Sequence, residues 1–131
     1  MKNKKELYKK KIMKYFKSFA YRGNIENATF STGKKISSCG VKISFEVVCG
    51  NNEISEIKFQ GDGSILSEAA ASILCEYAKD KTFEEILEID KKKLLELLGV
   101  ELGPTRLKSV FFILNTLKDG IKSYVESRKS S

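Results

Sequence analysis

The chain has 131 residues and a formal charge of +7, and 41% of its residues are hydrophobic. That length suits a single domain with a buried core, and the hydrophobic fraction excludes disordered and fibrous classes of protein. No apolar run is long enough to cross a bilayer, and the lysine-rich start lacks the apolar centre of a signal peptide. We therefore expect a cytoplasmic protein.

Histidine is absent, and the cysteines are Cys39, Cys49 and Cys75. Without histidine the chain lacks the commonest general base and the commonest metal ligand, and no other nucleophile-base pair stands out. We therefore expect a protein that is not an enzyme. Three unevenly spaced cysteines do not make a disulfide framework, so they should be free thiols or ligands in a reducing compartment.

The positive charge is mostly lysine, concentrated in residues 2–17, in residues 91–93 and near the C-terminus. Recognition of nucleic acid favours arginine forks and stacking aromatic side chains. Arginine is scarce here and tryptophan is absent. A solvated lysine surface therefore explains the charge better than nucleic-acid binding does.

The first helix is assigned to residues 1–19, with its regular part from Glu6 to Phe19. Its apolar residues fall near one face and its lysines around the rest; the apolar set is Leu7, Met13, Phe16 and Phe19. Such a helix suits a membrane surface or a partner protein. A short apolar stripe is more simply explained as the side that covers the protein's own core, so no membrane partner is expected.

Strands are predicted in the next segment. Residues 25–32 form a possible first strand. Apolar and polar residues then alternate clearly from Val41 to Val47 and again from Ile54 to Phe59, with Gly50-Asn51-Asn52 as turn residues between them. This pattern predicts an antiparallel hairpin.

Helices are predicted in the second half of the chain. Gly61 and Gly63 bracket Asp62 and predict a tight turn with positive φ, after which Ser64 or Ser67 can cap a helix. Cys75 falls inside that helix as a small hydrophobic residue. Further helices are predicted to begin at Thr82, Asp90 and Pro104. The helix that begins at Asp90 is predicted to end at Gly99. Residues 127–131 are predicted to be a frayed tail.

The predicted fold class is α+β. Residues 1–131 are expected to form one domain, with a small antiparallel sheet of about three strands and helices packed on one face.

Taken together, these pieces resemble the iron-sulfur cluster scaffold family of IscU, SufU and the N-terminal part of NifU. The resemblance extends from about Tyr8 to Tyr124. It is carried by the segments Arg22–Ala28, Cys39-Gly40, Phe59–Gly63, Lys79–Thr82 and Pro104–Lys108. The resemblance implies the IscU/SufE-like fold.

The resemblance also implies a site built from three cysteines. Such scaffolds receive sulfur as a persulfide from a cysteine desulfurase and hold a 2Fe–2S cluster for transfer, and some SufU members bind zinc. Cys39, Ser64 and Ser109 stand at the three ligand positions here, with Asp62 and Lys108 as neighbouring candidates. A shift of register would instead place Ser37 at the first position.

Serine is a poor replacement for cysteine at such a site. Its hydroxyl is not ionised near neutral pH, and oxygen is a harder donor than sulfur. Cys39 and Asp62 are the only metal ligands that could remain, and two ligands are fewer than a structural zinc or cluster site uses. No stably bound cluster or zinc is therefore expected.

Three functions follow from these observations. The first is a scaffold-like protein with a degenerate cluster site that acts by binding a cysteine desulfurase or another assembly protein. The second is a sulfur acceptor of the SufE type that uses Cys39 alone. The third is a non-redox interaction module that binds nucleic acid through its lysines.

Overall fold

The computed structural model describes residues 4–129. Helix α1 comes first, at Lys4–Lys17, and is followed by strands β1 at Phe30–Ser31, β2 at Lys35–Ile36, β3 at Lys42–Gly50 and β4 at Glu53–Asp62. The remaining helices are α2 at Ile65–Ala78, α3 at Phe83–Leu87, α4 at Lys91–Leu98 and α5 at Pro104–Lys129.

Strands β3 and β4 form the long antiparallel hairpin that the alternating pattern predicted. Asn51 and Asn52 connect them with φ angles of 55° and 60°. This left-handed geometry at both turn residues is typical of a two-residue type I′ turn, which asparagine tolerates better than most residues. A bulge between Val48 and Cys49 interrupts the pairing near the turn.

The sheet has four strands, and its other two strands are short. Both β1 and β2 pair antiparallel with β3, along the edge that β4 leaves free. One face of the hairpin is buried, through Ile43, Phe45, Val47, Ile54, Ile57 and Phe59. Helix α2 packs against β4, α5 against β3, and α1 against α2. The α+β fold class is thus confirmed, with one strand more than the sequence indicated.

Local signals in the second half of the chain set the helix ends as predicted. The Thr82 hydroxyl accepts a hydrogen bond from the Glu85 amide at 3.1 Å, and the Asp90 carboxylate accepts one from the Lys93 amide at 2.8 Å. Each of these bonds satisfies an amide in the first turn of its helix. Gly99 ends α4 with φ of 79°, a left-handed cap that glycine adopts without strain.

The predicted inner face of α1 is mostly wrong, because only Phe16 of its four apolar residues packs against the core. Leu7 is 53% exposed, Met13 36% and Phe19 82%, and the helix ends at Lys17, before Phe19. The buried side carries a second set of residues at helical spacing, Tyr8, Ile12 and Tyr15. Because both sets have the helical period, periodicity alone does not tell which one faces α2.

The predicted strand over residues 25–32 is also mostly absent. Phe30 and Ser31 form the ladder with β3, and the amides of Thr29 and Thr32 on either side donate to it. Asn27 has φ of 61° and Gly23 has φ of 121°, and these left-handed residues bend the chain out of an extended path. The short strand β2, at Lys35–Ile36, was not predicted from the sequence.

The glycines of the Gly61-Asp62-Gly63 corner do not have the left-handed φ that their spacing predicted, since the glycines with positive φ are Gly23, Gly33, Gly40 and Gly99. Gly61 continues β4 instead. A Cβ atom there would lie 3.0 Å from the Lys42 carbonyl oxygen and 3.1 Å from Ile43 Cδ1. Glycine therefore permits a close approach of backbone to backbone rather than an unusual backbone angle.

The chain ends differ from the predicted boundaries. Helix α5 continues to Lys129, so the part of the predicted tail from Ser127 to Lys129 is helical. Residues 1–3 and 130–131, which belong to the predicted first helix and tail, lie outside the described residues. Within residues 4–129 no helix combines the length and apolar character that spanning a membrane requires.

Candidate functional site

The loop between β2 and β3 presents Cys39 to solvent. Ser37 closes this loop, because its amide donates to the Val41 carbonyl at 2.8 Å and its hydroxyl accepts from the Val41 amide at 3.0 Å. Gly40, with φ of 89°, supplies the left-handed residue that so tight a loop needs. Cys39 therefore stands at the tip of an ordered turn.

Ser109, which is 70 residues later in the sequence, lies beside the Cys39 thiol. Its hydroxyl lies 3.5 Å from Cys39 Sγ, and the Ser37 hydroxyl lies 3.3 Å from the same sulfur. Ser109 is in the early part of α5, where its hydroxyl also reaches the Thr105 carbonyl at 3.4 Å. The structure thus brings together the first and third ligand positions implied by the resemblance, as well as the alternative first position, Ser37.

These neighbours favour the thiolate form of Cys39. Hydrogen bonds from Ser109 and then from Ser37 lower the pKa of the Cys39 thiol, and the positive charge of Lys108 adds a smaller effect in the same direction. The slight desolvation of the thiol opposes them. A thiol that ionises more readily is a better nucleophile and sulfur acceptor near neutral pH.

Ser64, the second ligand position, has a different role. Its hydroxyl accepts from the Ser67 amide at 3.1 Å and lies 2.9 Å from the Ser67 hydroxyl. Ser64 is therefore the N-cap of α2, and its oxygen satisfies an amide in the first turn. It is one of the two residues that were predicted as caps. Its hydrogen bonds are directed into its own helix and not toward Cys39.

The two neighbouring candidates, Lys108 and Asp62, have different surroundings. Lys108 precedes Ser109 and is close enough to act on the charge of Cys39. Asp62 is the exposed last residue of β4, opposite Lys42 in the ladder. Cys49, in β3, and Cys75, fully buried in α2, do not belong to this site. Burial raises the pKa of Cys75 well above that of an ordinary thiol.

Sequence reasoning missed a contact that holds the corner before α2. Arg22 Nη1 donates to Glu68 Oε1 at 2.6 Å, and its other nitrogens donate to the carbonyls of Phe16 and Ser18. The guanidinium also lies 5.3 Å from the ring centroid of Phe59. Arg22 was part of the resemblance, but its spacing gave no indication that it reaches the first turn of α2.

The residues at the site do not fit a resident cluster or zinc ion. Within the described part of the chain, no group of three or more cysteine, aspartate, glutamate or histidine side chains is placed to hold a metal. Around Cys39 the other donors are two neutral hydroxyls, which are weak ligands for iron and zinc beside thiolate. The site is that of a single thiol supported by hydrogen bonds.

Fold and site together define a small α+β protein in which an exposed loop thiol lies beside the early part of the last helix. The sequence model of the family described as "NifU-like N terminal domain" matches residues 7–131. The chain belongs to that family, which confirms the resemblance.

Relatives and solved structures support the same assignment. The chain is 29% identical to the iron-sulfur cluster assembly scaffold protein IscU of Thermotoga maritima over 92% of this chain and 81% of that protein. It is 33% identical to an IscU scaffold protein of Archaeoglobus fulgidus over 71% of this chain, which is 61% of that protein's length.

Among solved structures, it is similar to a crystal structure from Fervidobacterium islandicum AW-1, described as an iron-sulfur cluster assembly scaffold protein for the SUF system. The TM-score is 0.72 at 25% identity, over 85% of this chain and 93% of that one.

Proposed function

We propose that this protein takes part in iron-sulfur cluster assembly by binding an assembly partner, and that it does not itself hold a cluster. The observation that supports this function most directly is the donor set at the site. Two family ligand positions meet at 3.5 Å, yet only Cys39 is a thiol. Ser64 contributes its hydroxyl to a helix cap.

Two exposed apolar side chains adjoin residues discussed above, Ser37 and Ser64, and support a role in binding. Ile36 is 62% exposed and precedes Ser37, which touches the thiol. Ile65 is 47% exposed and follows Ser64 at the start of α2. Exposed apolar side chains such as these become buried when a partner protein binds over them. By family resemblance, the partner class is a cysteine desulfurase or another assembly protein.

Anaerobic reconstitution tests the absence of a cluster. The protein is incubated with iron, cysteine, a cysteine desulfurase and dithiothreitol, which reduces the persulfide to sulfide, and protein-bound iron and acid-labile sulfide are measured. We expect neither in stoichiometric amount. The matched control is the double variant Ser64→Cys plus Ser109→Cys, in which all three ligand positions implied by the resemblance carry thiols and cluster binding should rise. Stoichiometric iron and sulfide in the unaltered chain, lost in Cys39→Ala, would overturn the proposal.

A separate measurement tests partner binding. The affinity for a cysteine desulfurase is measured by calorimetry for the unaltered chain and for Ile36→Asp and Ile65→Asp. Both variants should bind at least tenfold more weakly, because a charge would replace an apolar contact. Lys79→Asp, on an exposed surface after α2, serves as the control and should bind normally. Equal affinities of all four proteins would exclude this surface as the contact.

A second function, sulfur acceptance, is favoured by the lowered pKa and exposure of Cys39. In this reaction the Cys39 thiolate attacks the outer sulfur of a persulfide on the donor protein. A new S–S bond forms on Cys39, the donor's S–S bond breaks, and the donor cysteine leaves as its thiolate. Mass spectrometry after incubation with desulfurase and cysteine should find one added sulfur atom on Cys39 and none on Cys75; an unmodified Cys39 would end this hypothesis.

A further inference from the structure

The outer face of α1 has a composition that the fold does not explain. Leu7, Lys10, Lys14 and Lys17 follow one another at helical intervals on the exposed side, and Met13 lies next to Lys10 and Lys17 on the helix surface. Phe19, two residues beyond the helix, is 82% exposed. We call Leu7, Lys10, Met13, Lys14, Lys17 and Phe19 the basic-apolar face.

The core does not require this face. The buried side of α1 already packs on the core through Tyr8, Ile12 and Tyr15, and Tyr15 donates to Glu76 of α2 at 3.0 Å. The expectation that no membrane partner exists depended on Leu7, Met13 and Phe19 covering the core. Since these three side chains point outward, that reason no longer applies.

We propose that the basic-apolar face binds the surface of a bilayer that contains anionic phospholipids. Lysine side chains near such a surface are attracted by the lipid phosphates, and apolar side chains can enter the headgroup region between them. Glu6, the one acidic residue of α1, is exposed and lies on the same side of the helix, one turn before Lys10. The face carries three lysines against this one carboxylate, so its net charge is positive and complements a negative surface.

Other partners fit this face less well. The centre of a protein-protein contact is a contiguous apolar patch from which water is excluded. Here lysines separate Leu7, Met13 and Phe19, an arrangement that a fluid lipid interface can accommodate. Helix α1 has no arginine, and nucleic acid is bound preferentially through arginine forks and stacked aromatic rings.

Flotation with lipid vesicles tests the proposal on the full chain. Vesicles of equal parts phosphatidylglycerol and phosphatidylcholine should bind the protein at low salt, whereas pure phosphatidylcholine vesicles should not. Binding to the anionic vesicles should weaken as salt is added, because the charges are exposed and screened. Failure to bind anionic vesicles at low salt, or equal binding to both vesicle types, would overturn the proposal.

Charge-neutralised variants locate the surface. Lys10→Gln, Lys14→Gln and Lys17→Gln together should lower the vesicle partition coefficient about a hundredfold, at about fivefold for each lysine. The matched control is Lys79→Gln, Lys122→Gln and Lys129→Gln, which changes the net charge equally at exposed positions elsewhere. Equal losses in both triple variants would show a nonspecific effect of net charge and would overturn the proposal.

Two further outcomes decide between lipid and other anions. Phe19→Ser should weaken vesicle binding and leave its salt dependence unchanged, because it removes an apolar contact and no charge. A generic DNA duplex, tested at the same salt, should bind more weakly than the vesicles. Tighter binding of the duplex, lost in the Lys10/Lys14/Lys17 variant, would assign the face to nucleic acid and contradict the proposal. None of these variants alters Cys39 or its neighbours, so the result is independent of the proposed function.

Discussion

The Ser109 hydroxyl lies 3.5 Å from Cys39 Sγ, although the two residues are 70 positions apart in the chain. Cys39 is in the loop between β2 and β3, and Ser109 is in the last helix, α5. The family resemblance assigns these two residues to the first and third positions of a site of three cysteines. The Ser109 hydroxyl lowers the pKa of the Cys39 thiol.

The first prediction concerns that acidity. Alkylation of Cys39 by iodoacetamide should follow a pH profile shifted below that of an ordinary thiol, because the lowered pKa leaves more thiolate at any pH below the usual value. Ser109→Ala should move the profile back toward higher pH. The exposed neighbour Ser38 provides the control, since Ser38→Ala should leave it unchanged. A profile unaffected by Ser109→Ala would show that the hydrogen bond has no effect on the thiol.

Cys75 provides an internal comparison in the same experiment. It is fully buried, and its pKa is raised well above the ordinary value. Peptide mapping should therefore find Cys75 unmodified in the folded protein and modified only after denaturation. Rapid labelling of Cys75 under native conditions would contradict the packing of α2.

The second prediction separates the structural role of Ser64 from its family position. Ser64→Ala should lower the free energy of unfolding by about 1 kcal/mol, because the first turn of α2 loses its cap. Ser64→Asp should retain most of the stability, since a carboxylate also caps helices. Urea denaturation measures both. If Ser64→Ala is as stable as the unaltered chain, the cap does not contribute to stability.

The third prediction concerns a buried hydroxyl. Ser72 is fully buried in α2, and its Oγ has no hydrogen-bond partner among the described residues. Ser72→Ala should raise the free energy of unfolding by about 1 kcal/mol, because an unsatisfied polar group is costly to bury. Ser67→Ala should have the opposite sign, since Ser67 is hydrogen-bonded to Ser64. Destabilisation by Ser72→Ala would mean that its hydroxyl has a partner in solution.

The fourth prediction tests the contact between α5 and the loop after β1. A Cβ on Gly120 would lie 2.5 Å from Thr32 Cγ2, a distance that the packing cannot accommodate without movement. Gly120→Ala should therefore lower stability by about 2 kcal/mol. Adding Thr32→Ser removes that methyl group and keeps the hydroxyl that accepts from the Phe45 amide at 2.9 Å. The double variant should recover part of the lost stability. No recovery would show that the loss does not come from the contact with the Thr32 methyl group.

Local signals predicted much of the fold. The Val41–Phe59 hairpin and the caps at Thr82, Asp90 and Gly99 depend on residues close together in the sequence, so their patterns are sufficient. The family motifs likewise predicted that Cys39 and Ser109 would belong to one site. The length of the first strand was not predictable in this way, because the left-handed φ of Asn27 follows from its tertiary surroundings and asparagine is also common in extended turns.

The sequence by itself determined the α+β fold and the family. Only the tertiary structure decided which face of α1 is buried, since Leu7 and Met13 share the helical period with Tyr8 and Ile12. It also decided what the two serines do: Ser109 meets Cys39, whereas Ser64 turns into its own helix. The physical reason is that a side chain's partners depend on contacts between elements distant in sequence, which no local pattern contains.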